Sequence, residues 1–222
     1  MDFEAISFDA LNITNDVIYK DMGYGNSIPD EEVSTLVSAL LQEIPEHTAP
    51  RFTFKLFEGE TGDDAVYLDN GVVLQVNSIL ASLLKNAEIF AIFAATAGTP
   101  FQQYQDRLKQ EGDLLKTYVA DAIGNCIAEG TGDCMETHLI AQTSDYKHTK
   151  RFSPGYCGWH LTGQRELFGL LGGSPCGISL SDVCLMTPIK SISGIIGIGR
   201  DVTEGIYGCR YCELKTCYKR KQ

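Results

Sequence analysis

The sequence predicts an α+β fold in which a mainly antiparallel, twisted sheet is flanked by helices. Asp69-Asn70-Gly71 supplies turn chemistry between two short runs of β-branched and aromatic residues, the pattern of a hairpin. The run "AEIFAIFAAT" at 87–96 has no polar alternation and ends at Gly98 and Pro100, as a strand buried on both faces does. Helical and extended patterns do not alternate regularly enough for a doubly wound parallel sheet, which leaves the antiparallel arrangement.

Each element follows from local pattern. Pro29 and Asp30 start a helix whose Val33, Leu36, Leu40, Leu41 and Ile44 recur at helical spacing, so one face of it meets the core. "RFTFKLF" at 51–57 and "DAVYLDNGVVLQ" at 64–75 read as strands, the second folding back on itself at the Asp-Asn-Gly turn. "SILASLLKN" at 78–86 is a short helix. From 102 to 129 a long helical stripe runs through Leu108, Leu115, Tyr118, Val119, Ala122 and Ile123; it breaks at Gly130-Thr131-Gly132 and resumes through Met135 and Leu139. From Arg151 onward the chain is rich in Gly, Ser and Cys, with a helix at 162–171 and strands at 178–180 and 192–198. "GIIGIG" at 194–199 lacks the Gly-x-Gly-x-x-Gly order of a nucleotide loop and is read as a glycine-rich strand. No internal repeat or linker divides the chain, so residues 1–222 are read as one domain with a cysteine-rich tail at 205–222.

Composition narrows the function. A net charge of -11 argues against nucleic-acid binding, which needs a basic surface to displace counterions from phosphates. No apolar run reaches the roughly 18–20 residues that cross a bilayer. The first residues carry acids where a secretion signal would be basic, so a cytoplasmic location is expected. Eight cysteines without such a signal are read as thiols or metal ligands rather than disulfides. Cys126, Cys134, Cys157, Cys176 and Cys184 stand singly among small or apolar residues, where a cysteine behaves as a small buried hydrophobe.

Two stretches are more specific: "RFSPGYCGWHLTGQRELFGLL" at 151–171 and "PCGISLSDVCLMTPIKSISGIIGIG" at 175–199. The first resembles the Arg-x-x-Pro-Gly-Tyr motif of the cobalamin (vitamin B12)-dependent methionine synthase activation-domain family. The second resembles the family's Met-x-Pro and Ser-x-Ser-Gly pattern before a final strand, and the chain is similar to a stand-alone form of that domain. The resemblance implies that Arg151, Ser153, Pro154, Gly155 and Tyr156 hold S-adenosylmethionine. It also implies an acid on the preceding long helix, where the alignment puts Asn125, with Asp121 and Glu129 one turn to either side. After Gly155-Tyr156 the chain departs from the family with Cys157-Gly158-Trp159-His160. The ligand chemistry is plausible on its own terms. A guanidinium grips a carboxylate with two parallel hydrogen bonds, a glycine turn lets backbone approach a ligand, and an aromatic ring faces a cation or adenine.

No Asp-x-His-x-x-Gly corrinoid signature occurs at any of the 4 histidines. The resemblance therefore implies that cobalamin sits on a partner, a corrinoid-binding methyltransferase such as methionine synthase, with a flavodoxin or ferredoxin as the electron source. The tail is a separate matter. Cys209, Cys212 and Cys217 form a Cys-x2-Cys-x4-Cys array that suits zinc or an iron–sulfur cluster, with Cys157 the first candidate for a fourth ligand and His160 the second. A second reading of the whole chain follows from it: a metal- or cluster-bearing redox protein that does not bind S-adenosylmethionine.

Overall fold

The computed structural model describes residues 3–203. Its sheet has seven strands: β1 (Glu4–Ala5), β2 (Arg51–Thr61), β3 (Ala65–Leu68), β4 (Val73–Gln75), β5 (Ile89–Thr96), β6 (Lys147–His148) and β9 (Ser191–Gly199). They lie in the order β4-β3-β2-β5-β9-β6, with β1 on β2, and every pairing is antiparallel. β7 (Ser179–Leu180) and β8 (Met186–Thr187) form a separate small ribbon. The helices are α1 (Asn15–Asp21), α2 (Glu31–Glu43), α3 (Ser78–Leu83), α4 (Thr99–Glu111), α5 (Leu114–Gln142) and α6 (Gln164–Leu170).

The expected fold class is the observed one, and its local causes are visible. Asp30 caps α2, its carboxylate accepting from Val33 N–H at 2.9 Å. At the β3–β4 turn Gly71 has φ +83°, a conformation glycine adopts without steric cost, and its N–H donates to Leu68 O at 2.9 Å. β5 sits in the sheet centre with helices on both sides, which explains its unbroken apolar run. Phe90, Ile92 and Ala94 face a core with α3, α6 and Trp159, while Ala91, Phe93 and Ala95 face Met135 and Leu139 of α5. A third cluster packs α1, α2 and α4 onto the N-terminal half of α5.

The long helix differs from the expectation. The chain breaks at Gly112-Asp113, where Gly112 ends α4 at φ +80° and Asp113 caps α5, accepting from Lys116 N–H at 2.9 Å. α5 then continues without interruption through Gly130-Thr131-Gly132 to Gln142. Those glycines mark close packing rather than a break. A Cβ on Gly130 would lie 3.3 Å from the Leu11 backbone and side chain, and a Cβ on Gly132 would overlap the Arg151 guanidinium. The helix interior tolerates the conformational cost because both sites admit a neighbour that no larger residue would.

Candidate functional site

Arg151 enters the site because β6 and the residues after it run along the edge of β9. Thr149 N–H donates to Gly197 O at 2.8 Å, and Phe152 exchanges backbone hydrogen bonds of 3.0 and 2.8 Å with Ile195. This pins the 151–156 loop to the sheet while Arg151 turns toward α5. There it meets three carboxylates at i, i+4 and i+7, one stripe of the helix. Nη2 lies 3.2 Å from Glu129 Oε2 and 2.8 Å from Asp133 Oδ1, and Nε lies 3.5 Å from Glu136 Oε2. The Arg151 side chain is 19% exposed. Its Nη1 is buried, with no hydrogen-bond partner among the described residues.

The arginine and these acids line a cleft of about 740 Å³. Ser153, Pro154 and Tyr156 complete the loop side, and Met186, Ser191, Ile192 and Ser193 come from the second sequence stretch. Two segments recognised separately in the sequence thus form two walls of one cavity. Gly155 lies in the same loop at φ +95°, where its N–H donates to Trp159 O at 2.8 Å. Tyr156 is 64% exposed at the mouth. Buried Ser193 donates to Gln164 Oε1 at 2.8 Å, which fixes α6 behind the cleft.

Asn125 does not line this cleft. Its Oδ1 accepts from Lys190 Nζ at 2.7 Å and its Nδ2 donates to Asp21 Oδ2 at 3.0 Å, beside a second groove of about 780 Å³ between α5 and the N-terminal segment. Glu129 is the acid that meets Arg151. Asp133 and Glu136 join it, and sequence reasoning passed over them. Acids at 129, 133 and 136, spaced so as to share one stripe of the helix, were the available signal.

Burial raises the Glu136 carboxyl above its ordinary value of 4.5, against the opposing pull of Arg151. A raised folded-state pKa means that ionising Glu136 costs the folded state stability. That cost is absent below the unfolded value of 4.5 and appears in full once pH passes the raised folded value. Glu136→Gln is therefore expected to be more stable than the wild type at pH 7, with the difference vanishing in acid. Urea unfolding at the two pH values checks this.

Of the cysteines, Cys126, Cys157, Cys176 and Cys184 are buried, and Cys134 is half-buried. Burial pushes the Cys176 thiol up to about 12, with Arg51 pulling the other way, so it stays protonated at neutral pH. Cys157 packs in the α3 and α6 core, and its carbonyl accepts from Asn77 Nδ2 at 2.8 Å. Cys209, Cys212 and Cys217 lie outside the described residues, and among the described residues no cluster of metal-ligating side chains occurs. No helix among them is long and apolar enough to cross a membrane.

Comparison with known proteins agrees with this architecture. No curated protein matches the chain. A crystal structure of the MetH reactivation domain bound to AdoHcy matches it with a TM-score of 0.67 over 91% of this chain and 79% of that one, at 17% identity, a likeness of fold. The family model for the vitamin B12 dependent methionine synthase activation domain matches residues 76–209, which contain both walls of the cleft. The chain belongs to the vitamin B12 dependent methionine synthase activation-domain family.

Proposed function

We propose that the Arg151 cleft binds S-adenosylmethionine, and that the chain serves as a reactivation module for cobalamin held on a corrinoid-binding methyltransferase, methionine synthase above all. The observation that carries this reading is the joining of the two sequence stretches around the half-buried Arg151 guanidinium, whose Nη1 has no hydrogen-bond partner among the described residues. AdoHcy in the similar solved structure is the demethylated form of the same ligand, which supports it.

The residues fit the ligand's charges. Arg151 takes the carboxylate, exchanging part of its contact with Glu129 and Asp133 for it. The carboxylates so released face the ammonium and the sulfonium. Ser153 and the Pro154-Gly155 turn bring hydroxyl and backbone groups to the ligand, and Tyr156 closes over it with an aromatic face. When bound, S-adenosylmethionine supplies a methyl group that passes without its bonding electrons to reduced cobalt, after one electron from a flavodoxin or ferredoxin. The protein's share is proximity and orientation, since no acid or base is required for that transfer. Exposed Val183, Leu185 and Ile189, which flank the cleft residues Met186 and Ser191 in sequence, offer an apolar surface to the corrinoid partner. A shared cytoplasmic location follows from this pairing.

Calorimetric titration with S-adenosylmethionine tests the reading, saturable binding at one site being the expected result and its absence the contrary one. The tail carries an independent proposal: Cys209, Cys212 and Cys217, with Cys157, hold zinc or an iron–sulfur cluster. Elemental analysis and absorption of anaerobically purified protein are expected to show near-equal metal, and neither zinc nor iron would retire it.

A further inference from the structure

Besides the 151–156 loop, the cleft is lined by α5 on one side and by the segment from Met186 to Ser193 on another. Lys190 joins them. Its side chain is only 11% exposed, and Nζ lies 2.7 Å from Asp121 Oδ1 and 2.7 Å from Asn125 Oδ1, both on α5. Asn125 extends the chain of contacts to Asp21 at the end of α1. Gly124 is the reason the lysine stem can lie so close to the helix, since a Cβ there would stand 3.0 Å from Lys190 Cγ and overlap Phe101. The backbone is tied down as well: Ala97 N–H donates to Lys190 O at 2.9 Å, and Ile189 N–H donates to Gln102 Oε1 at 2.9 Å.

A lysine side chain this shielded keeps its ammonium where an opposite charge, here the half-exposed Asp121, and a hydrogen-bond acceptor meet it, and those demands select one geometry. The next residue, Ser191, is buried in turn, its hydroxyl bonded to Thr96 Oγ1 at 2.8 Å and Pro188 O at 2.7 Å. Lys190 and Ser191 are adjacent in the chain, so the two anchors hold one stretch of backbone in the cleft wall.

We propose that Lys190 is a positioning residue that locks the 186–193 segment to α5 and so sets the distance between the serine wall and the carboxylate wall of the cleft. This rests on the reading of that cleft as an S-adenosylmethionine site. Asn125 then acts on the ligand through Lys190 rather than by touching it.

The test compares wild type, Lys190→Met and Lys190→Arg by amide hydrogen exchange and by calorimetry with S-adenosylmethionine. Lys190→Met keeps the length of the stem without its charge. It is expected to speed exchange across 186–193 while leaving the second half of α5 protected, and to weaken binding about tenfold through misplaced contacts. Lys190→Arg, which keeps charge and donors, is expected to recover most of the affinity. Unchanged exchange in the segment overturns the proposal, as does unchanged affinity in Lys190→Met when the wild type binds. Should Lys190→Met not fold, Asn125→Ala is expected to show the same two changes in smaller measure, and neither change would overturn it. Failure of the wild type itself to bind is a distinct result: it removes the ligand reading and this inference with it.

Discussion

Arg151→Ala is expected to abolish measurable S-adenosylmethionine binding, with a loss of roughly a hundredfold or more. Charge-assisted hydrogen bonds contribute about 1.5–3 kcal/mol each, and a bidentate grip supplies two of them, while 1.4 kcal/mol is a factor of ten. The effect on folding should be smaller. Two of the three carboxylate partners of Arg151 are well exposed, Glu129 at 62% and Asp133 at 71%, and such pairs add little to stability, while the third, Glu136 at 28%, is met only at 3.5 Å. The two readouts therefore separate, affinity collapsing while the unfolding midpoint moves little. Arg151→Lys, a point charge without the planar fork, is expected to fall between wild type and alanine. Equal affinity in wild type and Arg151→Ala would remove the guanidinium from the site.

The largest effect on stability is expected at Gly194. A Cβ there would overlap the Phe152 carbonyl oxygen and stand 3.0 Å from the Phe93 ring. The obstacle is main chain, and that carbonyl accepts from Ile195 N–H at 2.8 Å, so relief requires breaking the hydrogen bonds that hold the Arg151 loop on β9. Gly194→Ala is expected to cost about 3 kcal/mol or more, in the range of overpacked or strained core substitutions. S-adenosylmethionine affinity is expected to fall with it, because the displaced residue is next to Arg151. Gly169→Ala in α6 is the control. A Cβ there meets nothing within 4 Å, so the change is expected to be neutral or slightly stabilising. Denaturant unfolding of the two variants decides, and a Gly194→Ala loss below about 1 kcal/mol would contradict the packing argument.

Those two glycines show what the sequence can and cannot disclose. The helix cap at Asp30, the Asp69-Asn70-Gly71 turn and the central strand β5 were legible because each rests on residues a few positions apart. Gly130 and Gly132 misled for the same reason. Locally a pair of glycines breaks a helix, and only the tertiary approach of Leu11 and Arg151 shows why they are tolerated. The site divides along the same line. Arg151, Ser153, Pro154, Gly155 and Tyr156 are contiguous and were readable as one motif. The partners of Arg151 lie between 15 and 22 positions earlier, and the contact between them is fixed by how β6 and β9 place the loop against α5. Asn125 was placed by the alignment with the family, and the structure puts it two turns from Asp133, on the side that faces Lys190.

The most direct measurement is a crystal structure of the protein grown with S-adenosylmethionine. The account predicts the ligand's carboxylate on the Arg151 guanidinium, with its cationic groups toward Glu129 and Asp133 and Tyr156 over the mouth of the cleft. Ligand bound elsewhere, with Arg151 still held by its carboxylates and the cleft empty, would contradict it.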